Sequence, residues 1–176
     1  MLYTTCPSPV GQLTLAGDED GLYGLWIEGQ KYFGGAIRDK LTEQGTCPVL
    51  EETKDWLRRY FAGERPDACA LPIRPVGSAF QQQVWQILRE IPYGRVVTYG
   101  EIAKEIARRM GRETMSGQAV GGAVGHNPIS IIIPCHRVVG AGGRLTGYAA
   151  GLHVKAKLLE LEGVELPPEI IHAIII

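Results

Sequence analysis

Thr98-Tyr99-Gly100-Glu101-Ile102-Ala103-Lys104-Glu105-Ile106, a turn over Gly111–Gly117 and then Gln118-Ala119-Val120-Gly121-Gly122-Ala123-Val124 decide how this chain folds. Thr98 is a strong N-cap residue, and Glu101 at the third helical position completes a capping box. Ile102, Ile106 and Met110 then fall on one face of a helix. A short glycine-containing turn followed by a small-residue helix gives the outline of a helix-turn-helix unit. Upstream, Ser78 caps a helix with Phe80, Val84, Ile87, Leu88 and Ile91 on one side, until Pro92-Tyr93-Gly94-Arg95 breaks it.

The first part of the chain reads differently. Leu2–Thr5, Gln12–Ala16 and Leu22–Ile27 are strand-like, separated by Pro7, Pro9, Gly11, Gly17 and the turn cluster Asp18–Gly21. The patterning predicts helices over Lys31–Leu41 and Leu50–Phe61. Residues 62–77 hold Gly63, Pro66, Pro72, Pro75 and Gly77 and read as a linker. The expected fold class is α+β in two lobes. Residues 1–75 form a strand-rich supporting lobe with a small sheet and helices, and 76–176 a helical lobe with the helix-turn-helix. The apolar tail Pro167–Ile176 is expected to pack on its own body, with a partner-binding strand as the alternative.

The 176 residues are 45% apolar and 21% charged, the balance of a globular protein. The apolar runs are too short to span a bilayer, and the N-terminus lacks the basic and apolar regions of a secretory signal. Cysteines at 6, 47, 69 and 135 show neither a CxxC pair nor zinc-type spacing, which argues against a disulfide scaffold and for a reducing, cytoplasmic setting. The net charge of −1 hides an asymmetry: 8 basic and 11 acidic residues over 1–75, but 10 and 6 over 76–163. That is compatible with a polyanion on one side, and equally with an ordinary solvated surface.

Gly121 and Gly122 cost a helix about 1 kcal/mol each relative to alanine. Close approach of another backbone, from the protein or from a nucleic acid, would offset that. Gly125-His126-Asn127-Pro128 is a turn, and Ile129–Ile133 reads as a short buried strand. It leads into Pro134-Cys135-His136-Arg137. A cysteine there, beside a histidine and an arginine, is expected to have its pKa lowered toward the thiolate. Glu162, at the end of the last helix, is the carboxylate that could orient His136. A buried structural cysteine is the plain alternative. Cys6, Cys47 and Cys69 read as structural, and His126, His153 and His172 as incidental.

Ile133-Pro134-Cys135-His136-Arg137-Val138 resembles the active-site motif of the O6-alkylguanine-DNA alkyltransferases. Phe80–Trp85, Ile91–Arg95, Thr98–Ala103, Ala119–Ala123, Asn127-Pro128, Leu145–Tyr148 and Lys157–Gly163 are similar to family segments in the same order. The resemblance covers roughly 76–163. It implies irreversible transfer of a methyl or other alkyl group from guanine O6 in DNA to Cys135, once per molecule, with neither metal nor nucleotide cofactor. It also implies base flipping, because O6 inside a duplex is out of reach of a thiolate.

In this resemblance the recognition helix enters the minor groove of double-stranded DNA, kept slim by Ala119, Gly121, Gly122 and Ala123, with Gln118 and Arg137 also on the DNA side. Tyr99 assists flipping and donates a proton to guanine N3. His136, oriented by Glu162 and acting through a water, removes the thiol proton. Asn127 ties the turn before the nucleophile, and Val124, Tyr148, Ala149 and Ala150 line the pocket. A monomer is expected. Gln118 stands where the family usually has arginine, predicting weaker DNA binding or slower flipping. The turn Arg108–Gly117 is longer than usual, so Arg108, Arg109 or Arg112 could add phosphate contacts. Ala150 replaces a frequent glycine and would narrow the pocket against bulky adducts. Two readings compete: a lesion-binding protein that recognises alkylguanine without transfer, and a cysteine hydrolase acting on a small substrate.

Overall fold

A computed structural model of the chain describes residues 1–169; the apolar end from 170 onward, with His172, lies outside the described residues. The chain divides into two compact units, Met1–Gly77 with Pro128–Ile132, and Ser78–Asn127 with the chain from Ile133 onward.

The first unit is built on β1 (Leu2–Cys6), β2 (Leu13–Asp18), β3 (Gly21–Ile27) and the two-residue β4 (Glu43–Gln44), in sheet order β3-β2-β1-β4. The β1–β2 and β2–β3 pairs are antiparallel and β4 runs parallel to β1. Helix α1 (Pro48–Phe61) packs on β2 and β3. It turns Val49, Leu50, Thr53, Trp56, Leu57 and Tyr60 inward at helical spacing, and Leu13, Leu15, Leu22 and Leu25 of the sheet are fully buried. Full burial of each such leucine stabilises the unit by about 1.5–3 kcal/mol. Gly24 is required on β3: a Cβ there would fall 2.0 Å from the Trp26 indole.

Lys31–Leu41 is not an α-helix. Tyr32, Gly34 and Gly35 take left-handed backbone conformations, and only a 3-10 turn, Gly35–Lys40, forms. Ile129–Ile133 is not a strand either. Ile129 makes one isolated parallel bridge to Leu25, flanked by Leu25 N to Pro128 O at 3.0 Å and Ser130 N to Leu25 O at 2.9 Å. The chain then turns at Ile131, whose φ of 72° is a strained value for a β-branched residue.

In the second unit, α2 (Ala79–Arg89), α3 (Tyr99–Arg109) and α4 (Gly117–Gly125) pack on one another. The capping boxes hold both starts. Ser78 and Gln81 exchange hydrogen bonds of 3.1 and 2.9 Å, and Thr98 and Glu101 do the same at 3.1 and 2.9 Å. Ser116 caps α4 by accepting from Ala119 N at 3.3 Å. The parallel pair β5 (Val97–Thr98) and β6 (Val138–Val139), invisible in the sequence pattern, joins the start of α3 to the segment that follows Cys135. Helix α5 (Leu152–Leu161) closes the unit.

Candidate active site and nucleic-acid interface

Cys135 opens a short 3-10 turn, Cys135–Arg137, and is buried. Asn127 braces the approach to it: Nδ2 donates to the Ile133 carbonyl at 2.7 Å, and the same side chain faces the thiol. Burial raises the Cys135 pKa above its ordinary value, against lowering influences from Asn127, the Lys155 charge and Tyr148. The expectation of a lowered thiol pKa is thus corrected. Desolvation wins, and the thiol stays protonated near neutral pH.

His136 is the next residue along the chain, and it is buried. Its Nε2 lies 2.5 Å from Glu162 Oε2, and both side chains are fully buried. The carboxylate accepts the Nε2 proton, which leaves the lone pair on Nδ1; Nδ1 has no hydrogen-bond partner among the described residues. Burial lowers the His136 pKa despite the opposing pull of Glu162, so the ring is neutral near pH 7. Burial works to raise the Glu162 carboxyl, but His136 and Arg137 outweigh it and hold the group far below the usual carboxylate range. Glu162 caps the C-terminus of α5 and also accepts from Gly94 N at 3.1 Å, while Tyr93 Oη donates to the Leu161 carbonyl at 3.2 Å. Those contacts fix the carboxylate to the Pro92–Arg95 turn.

Arg137 does not face outward. Its Nε donates to Glu162 Oε1 at 2.7 Å, a second nitrogen to Glu162 Oε2 at 3.2 Å, and the third to the Ile91 carbonyl at 2.7 Å. The guanidinium also lies 5.7 Å from the centre of the Tyr93 ring. A phosphate contact would cost it these bonds, so the expected DNA-side role is replaced by an internal clamp.

Tyr99 opens α3 half-buried, and its hydroxyl donates to the Thr146 carbonyl at 3.3 Å. Burial, then the nearby Cys135 charge, raise its pKa. The Tyr148 hydroxyl is buried near the Cys135 sulfur without a hydrogen bond of good geometry among the described residues, and burial followed by the cysteine's charge keeps it un-ionised. Val124 is buried, whereas Ala149 and Ala150 are half-buried in the turn before Gly151. Sequence reasoning missed Lys155, a fully buried cation near Cys135. The signal was its place between Val154 and Ala156 on the inward stripe of α5.

Helix α4 presents Gln118, Ala119 and Gly122 to solvent, with Gly121 half-buried. Ala123 is instead turned inward and buried, and its carbonyl accepts the Trp85 indole N–H at 2.8 Å. A Cβ built on Gly117, Gly121, Gly122 or Gly125 meets nothing within 4 Å among the described residues. Internal packing therefore does not explain these glycines. Of the three arginines before α4, Arg108 is engaged by Glu105, and Arg109 by both Glu105 and Glu90. Arg112 is exposed with no ion pair among the described residues.

Residues 79–164 match the family model of the 6-O-methylguanine DNA methyltransferase DNA-binding domain, and residues 1–75 that of the ribonuclease-like domain of the same proteins. A methylated-DNA–protein-cysteine methyltransferase of Haemophilus influenzae is 43% identical over 164 residues, 93% of this chain and 87% of its own. One from Methanosarcina acetivorans is 45% identical over 164 residues, 93% of this chain and 99% of its own. Among solved structures, Mycobacterium tuberculosis OGT in complex with DNA superposes with a TM-score of 0.77 at 43% identity, covering 92% of each chain. With both halves matched, the protein belongs to the 6-O-methylguanine DNA methyltransferase family.

Proposed function

We propose that the protein repairs alkylated guanine in DNA by moving a methyl or other alkyl group from guanine O6 to the sulfur of Cys135, once per molecule. The observation that carries the reading is a buried cysteine next in sequence to a buried histidine whose ring Glu162 holds. His136 Nδ1 takes the thiol proton through a water, and the thiolate attacks the alkyl carbon in line. The S–C bond forms as the C–O6 bond breaks, and the electron pair stays with the guanine. Tyr99 delivers a proton to ring N3, so the departing base does not carry a full negative charge. The resulting thioether is not cleaved, which makes the reaction stoichiometric.

The DNA is double-stranded and approached from the minor-groove side. The open face at Gly121 and Gly122 supports this, since a phosphate backbone can approach where a larger side chain would stand. Gln118, Ala119, Gly121 and Gly122 form that face, and Val124, Asn127, Tyr148, Ala149 and Ala150 surround the flipped base. The protein acts as a monomer in the cytoplasm; four free cysteines suit a reducing compartment.

The reading is tested by intact-protein mass after incubation with a duplex carrying one O6-methylguanine. One added methyl, mapped to Cys135 and absent from Cys135→Ala, is the expected result. A bound duplex with no mass gain would instead favour lesion recognition without transfer, and product accumulating beyond one equivalent would favour a hydrolase.

A further inference from the structure

Lys155 lies in the first turn of α5, fully buried. A cation is doubly misplaced there, removed from water and near the positive end of a helix. Its Nζ donates to the Thr146 carbonyl at 3.3 Å and to the Gly147 carbonyl at 3.2 Å. No carboxylate pairs with it among the described residues. Burial lowers its pKa to about 8, against a smaller upward pull from Cys135. A methionine would fill the same space without these costs, so the two carbonyls are what the ammonium is there to hold.

One of them has a second donor. Tyr99 Oη donates to the same Thr146 oxygen at 3.3 Å, with Lys155 Nζ 6.0 Å from the centre of the Tyr99 ring. To reach a guanine ring nitrogen, the Tyr99 hydroxyl has to leave that carbonyl. Thr146 is exposed, so what the ammonium adds is a fixed donor that holds the carbonyl in place when the hydroxyl leaves, where water would satisfy it without fixing it.

We propose that Lys155 is a positioning residue, which keeps the Thr146–Gly147 backbone fixed and hydrogen-bonded while Tyr99 exchanges the Thr146 carbonyl for the flipped guanine. The inference rests on alkyl transfer as read above. No covalent bond changes at Lys155; one hydrogen bond of Tyr99 is traded for another.

The test is a double-mutant cycle on single-turnover methyl transfer from O6-methylguanine duplex DNA, using the wild type, Lys155→Met, Tyr99→Phe and the pair. Melting temperature and DNA affinity are measured on each. A phenylalanine has no hydroxyl to exchange. Lys155→Met should therefore slow transfer roughly tenfold or more with Tyr99 present, and less than about threefold in the Tyr99→Phe background. Lys155→Gln, which retains an amide donor, should recover part of the rate. Equal slowing in both backgrounds, or a loss confined to DNA affinity, overturns the proposal. So does failure of both Lys155 variants to fold, because Lys155 would then serve the core alone. A wild type that takes up no methyl marks failure of the transfer reading itself, which is seen before any variant is compared.

Discussion

Glu162 Oε2 accepts the Nε2 proton of His136 at 2.5 Å, and that one contact sets which ring nitrogen keeps its lone pair. The same carboxylate binds Arg137, so its loss would leave a buried guanidinium without its counter-charge. Glu162→Gln should cost about 3–5 kcal/mol of stability, read by denaturant unfolding. Methyl transfer should slow by about 10²-fold or more under single-turnover conditions. A variant that transfers at the wild-type rate would mean the histidine needs no orienting partner.

Arg137→Met should also destabilise the fold, by about 2–4 kcal/mol, because Glu162 would keep its burial and lose a donor. The dependence of DNA affinity on salt should not change. A salt slope reduced by about 1 would restore Arg137 to the DNA surface.

At Gly122 stability and binding should move in opposite directions. Gly122→Ala places a methyl in open space, which should stabilise the helix by up to about 1 kcal/mol in a thermal melt. Affinity for duplex DNA, followed by fluorescence anisotropy, should fall at the same time. A stabilised variant with undiminished affinity would remove α4 from the interface.

Gln118→Arg restores a charge and a planar stacking group at an exposed position of α4. Duplex affinity or the transfer rate should rise roughly three- to tenfold, an effect of about 1 kcal/mol. No gain would show that the glutamine is matched to its surroundings.

The acid limb of the transfer rate should lie below the ordinary histidine value of 6.5, because burial lowers the His136 pKa. Stability follows the same sign. His136 is depressed in the folded chain, so unfolding takes up a proton, and stability falls as pH drops from 6.5 through the folded value. Glu162 adds to the loss further down, since its stabilising charge is complete above 4.5 and disappears as pH falls through its depressed value. Unfolding free energies measured from pH 7 to 4 should decline, and His136→Asn should remove the upper part of the decline.

Much of this was legible in the sequence because local signals agreed with the fold. Thr98 with Glu101 and Ser78 at its helix start name their own boundaries, and α1 shows its inward face in the spacing from Val49 to Tyr60. Cys135, His136 and Glu162 stand out by motif; the structure buries all three and joins His136 to Glu162. What was missed depends on tertiary context. Left-handed residues at 32, 34 and 35 overrode the helical pattern of Lys31–Leu41, and the turn at Ile131 ended what reads as a strand. The Cys135 pKa was misjudged because its neighbours in sequence suggest charge, while burial decides the sign. Arg137 and Lys155 look like surface cations until the carbonyls and carboxylate they serve are seen.

The stretch Pro128–Ile132 belongs to the first unit although both its ends lead into the second. Cutting the gene after Gly77 would therefore not release two self-sufficient halves. The upstream product would lose the partner of Leu25, and the downstream product would carry Ile129, Ile131 and Ile132 as an uncovered apolar loop between α4 and Cys135. The second unit is thus bound to the first by the path of the chain, and the two have to be made, folded and engineered together.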